Sequence, residues 1–267
     1  MKKTIVIAAA VVLVVLAAVF AAGCTSSDSA KVITGYNDLY GAKIGVQTGT
    51  TGDVAYVSEI EKADPSTKVE RYTNIVDGVQ SLKQGKLDCV VIDSEIAKNY
   101  ATEGSGLKLI YDDAFASEDY AFAVKKGNDE LLYALNTAMD ELKADGTFDK
   151  INKYYLGFEG GEQYKKVEGI NYKSDLKVAT HAEFKPYEYK EEGKFLGIDM
   201  DVMQAIADKL QYQLVINDID FGSILLSVQT GKDDVGASAI TVTDERKKNV
   251  DFTDPYVTAT QVIIVRA

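Results

Sequence analysis

The stretch LKVATHAEFKPYEYKEEGKFLGIDMD, residues 176–201, has the order of features with which a domain begins. A β-rich run over Leu176–Thr180 is followed by a polar turn and then by Gly197, which opens an amphipathic helix. The apolar residues of that helix recur at helical spacing and form one stripe: Ile198, Val202, Ala205, Ile206 and Leu210. Because this beginning lies two-thirds of the way along a chain of 267 residues, the order of the segments needs an explanation.

Strand-like and helix-like segments alternate on both sides of this stretch, which predicts an α/β fold. Before it, strands are predicted at 43–47, 69–72, 88–92, 107–111 and 120–124, and helices at 75–84, 95–102, 130–143 and 148–155. After it, strands are predicted at 213–216, 235–239 and 261–265, and a helix at 223–229. Residues 158–175 are rich in glycine and charge without a clear period, and are predicted to be a linker.

The first 24 residues have the pattern of a targeting segment rather than of a folded element. Two lysines precede a long apolar run, and AAGC at residues 21–24 resembles a lipobox in which Ala replaces the usual Leu. Residues 1–23 are therefore expected to be a lipoprotein signal peptide, Cys24 the lipidated N-terminus and residues 24–37 a tether. The alternative is an uncleaved membrane anchor. Both interpretations put the rest of the chain on the outer face of the cytoplasmic membrane.

Composition excludes several classes of function. The chain carries 41 acidic and 29 basic residues, a formal net charge of −12, whereas a nucleic-acid-binding surface would be basic. Cys89, the one cysteine besides Cys24, lies in the apolar run CVVI and is expected to be a buried, inert thiol. The sequence contains no plausible metal-ligand cluster and no Ser–His–Asp signature, so we expect neither a metal, nor a cofactor, nor catalysis.

Five stretches make the chain similar to a known family. They are IGVQTGTTGD (44–53), ELKADGTFDKINKYY (141–155), FLGIDMDVMQAIADKL (195–210), DFGSILLSVQTGKDDV (220–235) and ITVTDERKKNVDFTDPY (240–256). From about Asp38 to its end, the chain resembles the periplasmic-type solute-binding proteins of amino-acid ABC transporters. The resemblance implies a type II periplasmic binding protein fold, in which two Rossmann-like α/β lobes are joined by a two-strand hinge and hold the ligand between them.

The segments stand in exchanged order relative to that family. The segment that resembles residues 176–266 comes first in the family and the one that resembles residues 38–157 comes second, so the chain is expected to be circularly permuted. The implied parts are lobe 2 at 38–117 and 258–267, lobe 1 at 118–157 and 176–257, and a linker at 158–175 that joins the family's usual termini. The rival interpretation is a fragment of two tandem binding domains, which could also form a domain-swapped dimer. A permuted monomer is preferred because both halves are nearly complete and the predicted signal peptide precedes them.

The carboxylate of an amino acid requires an anion site, for which Arg246 is the candidate. It stands in the first turn of a short helix that Thr243 can cap, where a bound anion would offset the unfavourable meeting of a cation with the helix dipole. A guanidinium group binds a carboxylate through two parallel hydrogen bonds. From the residues alone, a solvated surface arginine is the better explanation of Arg246. The resemblance assigns it the carboxylate, with Thr241 as a neighbouring hydroxyl. It also implies that the turn of Gly49, Thr50 and Thr51 in lobe 2 closes over the carboxylate; from the residues alone, Thr50 or Thr51 could instead cap the next helix.

The ammonium group requires a carboxylate, for which Asp93 is the candidate. Asp93 follows the buried run CVVI and so comes at the carboxyl end of a strand, the edge of an open α/β sheet that faces a ligand crevice. From the residues alone, capping of the next helix is an equally good explanation. The resemblance implies that Asp93 binds the ammonium group with help from the carbonyl of Ala239.

The ligand side chain requires a slot, which the resemblance places among Phe184, Phe221 and Tyr187. The alternative for each aromatic residue is ordinary core packing. His181, the only histidine, occupies a position where many relatives carry an acid that contacts the ligand's distal group. A neutral imidazole can donate or accept, so a polar side chain such as that of glutamine is favoured over a cationic one.

Together these features predict a lipid-anchored binding protein that captures a free amino acid for an ABC-type importer. The expected partners are the ligand, a membrane permease and the membrane itself, and a monomer is expected. Two other functions use the same fold. One is an enzyme similar to the cyclohexadienyl dehydratases, which would need a general acid in the crevice, and the other is a ligand-sensing receptor subunit.

Overall fold

The protein is described by a computed structural model that covers residues 30–267. The predicted signal peptide, Cys24 and the first part of the predicted tether lie outside the described residues. Within residues 30–267, no helix combines the length and the apolar character needed to span a membrane.

Five strands form the sheet of lobe 2. They are β1 (Lys43–Gln47), β2 (Lys68–Tyr72), β3 (Cys89–Asp93), β4 (Leu107–Ile110) and β14 (Val257–Arg266), in the order β2-β1-β3-β14-β4. Strand β1 is parallel to β2 and β3, whereas β14 is antiparallel to β3 and β4. The helices of this lobe are a π-helical turn (Gly52–Val57) continued by α1 (Ser58–Ala63), then α2 (Ile75–Lys83) and α3 (Ser94–Tyr100).

Helix α2 shows why these residues form this lobe. Its predicted apolar face of Ile75, Val79 and Leu82 is buried, as helical spacing requires. The side chain of Asn74 caps its first turn by accepting a hydrogen bond from the backbone N–H of Val76 at 2.8 Å.

Five other strands form the sheet of lobe 1. They are β6 (Ala123–Lys125), β7 (Ser174–Thr180), β11 (Tyr212–Asp218), β12 (Val235–Gly236) and β13 (Val250–Phe252), in the order β11-β7-β12-β6-β13. A small antiparallel sheet beside it contains β8 (Glu183–Phe184), β9 (Glu188–Glu191) and β10 (Lys194–Leu196). The helices are α4 (Asp129–Ala144), α5 (Thr147–Tyr155), α6 (Ile198–Leu210) and α7 (Phe221–Thr230), with a 3₁₀ turn at Arg246–Lys248. The predicted stripe of α6 is buried except for Leu210, which is half-buried.

Two antiparallel strands connect the lobes. Strand β5 (Ser117–Tyr120) runs from lobe 2 into lobe 1 and pairs with the first part of β14, from Val257 opposite Tyr120 to Thr260 opposite Ser117. The second part of β14 then enters the sheet of lobe 2 between β3 and β4. The prediction of an α/β fold with two lobes and a two-strand hinge is therefore confirmed.

The structure differs from the predicted elements at two strands. The run predicted as one strand over 120–124 is divided into β5 and β6, because the backbone N–H of Ala121 turns to the carbonyl of Ile240. The strand predicted over 235–239 ends at Gly236. Ala239 has a φ of 45°, a left-handed conformation that does not continue a strand.

The predicted linker and tether both make specific contacts. In the linker, the backbone N–H of Tyr164 donates a hydrogen bond to Asp201. The phenol of Tyr164 and the backbone N–H of Val167 both donate to Asp208, near the end of α6. Upstream of β1, Ile33 is buried, so the ordered packing of lobe 2 begins before the end of the predicted tether at residue 37.

Candidate functional site

A cavity lies between the two lobes, at the carboxyl ends of β1 and β3 and beside the hinge. Its empty space, counted with the gaps between the lining atoms, is about 300 Å³. The residues that line it are Gln47, Thr50, Thr51, Asp93, His181, Phe184, Glu188, Phe221, Ser238, Ala239 and Thr241. Eight of the eleven predicted ligand-binding residues belong to this lining, and both lobes contribute to it.

The lobes are closed over this cavity. Arg246 of lobe 1 donates to the carbonyl of Gly49 in lobe 2 at 3.1 Å, and Asn99 of lobe 2 donates to the carbonyl of Lys185 in lobe 1 at 2.6 Å. The backbones also meet directly, because a Cβ atom placed on Gly49 would lie 3.2 Å from the Cα of Gly222. Gly49 has a φ of 78°, so both its conformation and its surroundings favour glycine.

Arg246 lies just outside the lining and is held by backbone carbonyls. Its Nη1 donates to the carbonyl of Thr241 at 2.7 Å, and its Cζ lies 5.7 Å from the centre of the Phe221 ring. Thr243 Oγ1 accepts a hydrogen bond from the backbone N–H of Arg246 at 3.1 Å, within the turn that leads into the 3₁₀ segment, whose N-cap is Glu245. Arg246 is only 9% exposed, so it is not a solvated surface residue. Each Nη atom carries a second N–H, which suits an anion beside Thr241.

Asp93 ends β3 and is 5% exposed. Its side chain does not cap α3; instead Oδ1 accepts a hydrogen bond from the phenol of Tyr120 on the hinge at 2.8 Å. Burial raises the pKa of Asp93, while the hydrogen bonds from Tyr120 and Gln261 and the charge of Arg246 act in the opposite direction. A carboxylate so placed gains from a bound cation, which makes the site suitable for an ammonium group.

Glu118 on hinge strand β5 is a second buried carboxyl group near Asp93. Its Oε2 accepts hydrogen bonds from Thr241 Oγ1 at 2.9 Å and from Gln261 Nε2 at 3.2 Å. Burial, reinforced by the charge of Asp93, raises the pKa of Glu118 to about 7. The positive charge of Arg246 acts on both carboxyl groups and opposes the rise in their pKa values. The hinge therefore carries a group that changes its charge near neutral pH.

The turn after β1 contributes two threonines with different roles. Thr50 Oγ1 donates to the carbonyl of Gln47 at 2.9 Å and lies 3.4 Å from the backbone N–H of Asp53, so it is engaged within the turn. Thr51 Oγ1 is buried and has no hydrogen-bond partner among residues 30–267. Thr51 precedes the π-helical turn without capping it, which leaves its hydroxyl available to a ligand.

The three predicted aromatic residues divide into two groups. Phe184 and Phe221 line the cavity, and Phe184 is 7% exposed. Tyr187 is buried but does not line the cavity; its ring packs edge-on against Tyr120 with centroids 5.5 Å apart. For Tyr187 the core-packing alternative is therefore the better description.

Beside these groups lies a polar cluster of His181, Ser238 and Glu188. His181 Nδ1 is 3.1 Å from the carbonyl of Ile219, and its Nε2 is buried without a partner in the described part of the chain. The hydroxyl of Ser238 accepts from the backbone N–H of His181 and donates to Glu188 Oε1 at 2.8 Å. Glu188 is fully buried, and burial together with the charge of Asp199 raises its pKa well above the ordinary value.

Ala239 provides the remaining predicted contact and is strained. Its left-handed φ of 45° is uncommon for a residue with a side chain, and such strain concentrates at functional sites. The conformation is stabilised by Asp199, whose Oδ2 accepts a hydrogen bond from the backbone N–H of Ala239 at 2.9 Å.

Sequence reasoning missed three lining residues, Gln47, Glu188 and Ser238, and the two groups behind them, Glu118 and Gln261. Gln47 could have been found because it ends β1, as Asp93 ends β3, at the same sheet edge. The others have no local signal. Among the described residues, no group of three or more His, Cys, Asp or Glu side chains is arranged to hold a metal ion.

The chain was compared with known proteins. The sequence model of the bacterial extracellular solute-binding proteins, family 3, matches residues 40–158 and 176–267 and leaves the predicted linker unmatched. The arginine-binding extracellular protein ArtP of Bacillus subtilis is 39% identical over 92 residues, which are 34% of this chain and 36% of that protein. A probable histidine-binding protein of Neisseria gonorrhoeae is 34% identical over 125 residues, 46% of each chain. The chain thus spans between a third and a half of the length of these relatives.

Among solved structures, an ancestral arginine-binding protein bound to arginine is 45% identical over 32% of this chain and 37% of that chain, with a TM-score of 0.31. The family assignment rests on the sequence model, whose two matched segments together cover most of the chain. The protein belongs to the bacterial extracellular solute-binding proteins, family 3.

Proposed function

We propose that the protein is a lipid-anchored, extracytoplasmic binding protein that captures a free amino acid between its two lobes and presents it to an ABC-type importer. The proposal rests chiefly on one observation. A buried aspartate, Asp93, lines the closed interlobe cavity, and a buried arginine, Arg246, lies just behind the lining residue Thr241. These are the charges that a zwitterion requires. The names of the matched relatives support binding rather than catalysis.

The carboxylate of the ligand binds Arg246 beside Thr241, with Thr51 as the hydroxyl donor. The ammonium group binds Asp93 and the carbonyl of Ala239, and the side chain lies between Phe184 and Phe221. The ligand thus contacts both lobes at once. An open form makes only half of these contacts, so the ligand shifts the population toward the closed form, which the permease recognises.

The ligand is an amino acid with a polar side chain. Phe184 and Phe221 supply apolar walls, while His181 Nε2 and Glu188 Oε2 supply buried polar atoms that have no partner among residues 30–267. Buried polar groups of this kind are stabilised by a complementary hydrogen-bonding partner. The relatives that bind arginine or histidine also take polar ligands, as their names state.

The chain is a circularly permuted monomer that contains both lobes. Strand β14 supports this proposal because it completes the hinge with β5 and the sheet of lobe 2 with β3 and β4 within one chain. The short coverage of relatives has the same explanation, since a collinear alignment can match only one of two exchanged segments. The anchor is a lipid on Cys24, which follows the signal peptide at residues 1–23.

Calorimetric titration of the purified protein with the twenty amino acids tests the proposal. We expect at least one ligand to bind with a dissociation constant of about micromolar or tighter. Arg246→Ala should weaken that binding by about 100-fold or more, because it removes a charged partner of a buried carboxylate. Lys247→Ala is the matched control, because it removes an exposed cation from the same 3₁₀ turn.

Unchanged affinity in Arg246→Ala would contradict the assignment of the carboxylate site. Failure of all twenty amino acids to bind a cooperatively folded protein would contradict the function itself. Light scattering at the same protein concentration tests the monomer, and a stable dimer would favour the domain-swapped alternative.

A further inference from the structure

The hydrogen-bond roles in the cluster of His181, Ser238 and Glu188 are fixed by their neighbours. The carbonyl of Ile219 can only accept, so His181 Nδ1 carries a proton; in the tautomer that this contact selects for the uncharged ring, Nε2 is an acceptor. Ser238 Oγ accepts from the backbone N–H of His181, so its own proton is directed to Glu188 Oε1, 2.8 Å away. Glu188 Oε1 is therefore an acceptor, and Oε2 is the oxygen that remains for another role.

Glu188 has the surroundings of a neutral carboxylic acid. It is 0% exposed, and no ion pair joins it to a cation of the described chain. Burial, together with the charges of the buried carboxyl groups of Asp199 and Asp93, raises the pKa of Glu188 well above its ordinary value. A buried carboxyl group without a cation is more stable protonated than charged. Because Ser238 occupies Oε1, the proton resides on Oε2.

The cavity therefore contains one uncharged donor and one uncharged acceptor that are both buried and unpartnered among residues 30–267: Glu188 Oε2–H and His181 Nε2. We propose that Glu188 and His181 together select an amino acid with a carboxamide side chain. The carbonyl of the amide accepts from Glu188, and its NH₂ group donates to His181. The inference rests on the proposed function and extends it to the class of ligand.

The same pair discriminates against charged side chains. A guanidinium or ammonium group could donate to His181, but it has no acceptor to offer to the O–H of Glu188. A ligand carboxylate could accept from Glu188, but it would face the lone pair of His181 Nε2. The carboxamide satisfies both groups without burying a charge.

Calorimetric titration with glutamine, asparagine, glutamate, arginine and lysine tests this selectivity. Glutamine and glutamate have nearly the same shape, so their comparison isolates the hydrogen-bonding pattern. We expect glutamine or asparagine to bind most tightly, and glutamate at least about tenfold more weakly than glutamine, because one polar group would be left unmatched.

Two variants separate the chemistry of Glu188 from its structural role. Glu188→Gln keeps a neutral donor and should hold glutamine within about threefold, whereas Glu188→Met removes the donor and should weaken glutamine about tenfold or more. Melting of each variant without ligand reports folding. Glu183→Gln, an exposed change on neighbouring strand β8, is the control.

Two results would overturn the carboxamide assignment while leaving the amino-acid-binding function intact. One is that arginine or lysine binds most tightly; the other is that a folded Glu188→Gln variant loses more than about tenfold in glutamine affinity. Binding of no amino acid would instead overturn the proposed function. The two failures are thus distinguishable.

Discussion

Replacing Glu118 by glutamine should change how the stability of the protein depends on pH. The pKa of Glu118 is raised from its ordinary value of 4.5 to about 7 by burial and by the charge of Asp93. Between these values the folded state binds more protons than the unfolded state, so the free energy of unfolding falls as pH rises. The stabilisation is complete below the unfolded pKa and is lost as pH rises through the folded pKa. Glutamine is neutral throughout and cannot contribute this dependence.

The size of the effect follows from the difference between the two pKa values. A difference of about 2.5 corresponds to roughly 3 kcal/mol, which is an upper limit because Asp93 and Glu118 share the electrostatic cost. Near pH 5 the variant and the wild type should differ by less than about 1 kcal/mol, since the amide can still accept from Thr241 and Gln261. Near pH 8 the variant should be the more stable protein, by at most roughly 3 kcal/mol.

Urea unfolding followed by circular dichroism at several values between about pH 5 and pH 8 measures this difference. Asp199 and Asp201 also have raised pKa values, to about 7 and about 6, so the wild-type curve contains their contributions as well. The difference between the two proteins removes those shared contributions. Glu130→Gln, on the exposed first turn of α4, should leave the wild-type profile unchanged. Parallel profiles for Glu118→Gln and wild type would refute the reasoning.

Two further changes test the closed cleft and the linker. Gly49→Ala should weaken ligand binding by about tenfold, because it strains a left-handed residue and puts a Cβ 3.2 Å from the Cα of Gly222 at the lobe contact. Titration of this variant and of Gly85→Ala, a left-handed glycine with open space around it, measures the loss of affinity; equal losses would show that backbone strain alone is responsible. Tyr164→Ala should lower the free energy of unfolding by about 1–3 kcal/mol, because the ring packs on the core and its hydroxyl reaches Asp208. Urea unfolding against Phe158→Ala, whose side chain is 64% exposed, measures that loss, and equal stabilities would mean that the segment does not brace lobe 1.

The sequence predicts the parts of this fold that follow from the spacing and order of neighbouring residues. The stripe of α6 follows from helical spacing, and the position of Asp93 at a sheet edge follows from the buried run before it. Each of these inferences needs only neighbouring residues. The family resemblance adds Arg246, which local reasoning would have left on the surface and which is 9% exposed.

The sequence does not predict the residues whose environment is made by distant segments. Glu188 lies in PYEYKEE, which has the composition of a solvated hairpin. It is buried only because Ser238 and Asp199, from two other parts of lobe 1, close around it. Glu118 is likewise enclosed by Thr241 and Gln261, more than a hundred residues away. Tyr187 is the opposite case, since the slot pattern places it in the pocket and its ring packs against Tyr120.

These distant contacts also explain why the cleft should respond to a ligand. Thr51 Oγ1, His181 Nε2 and Glu188 Oε2 are buried in the closed form without partners in the described chain, and each such group costs about 1–3 kcal/mol. In an open form water can satisfy all three. Their combined cost matches the few kcal/mol that usually separate two conformations, so closure is unfavourable until a ligand supplies the missing hydrogen bonds. A ligand that matches only the ammonium and carboxylate sites leaves two of the three costs in place. Under the proposed assignment, the cluster of His181, Ser238 and Glu188 acts on both selectivity and closure, because the same atoms contribute to the energy of each.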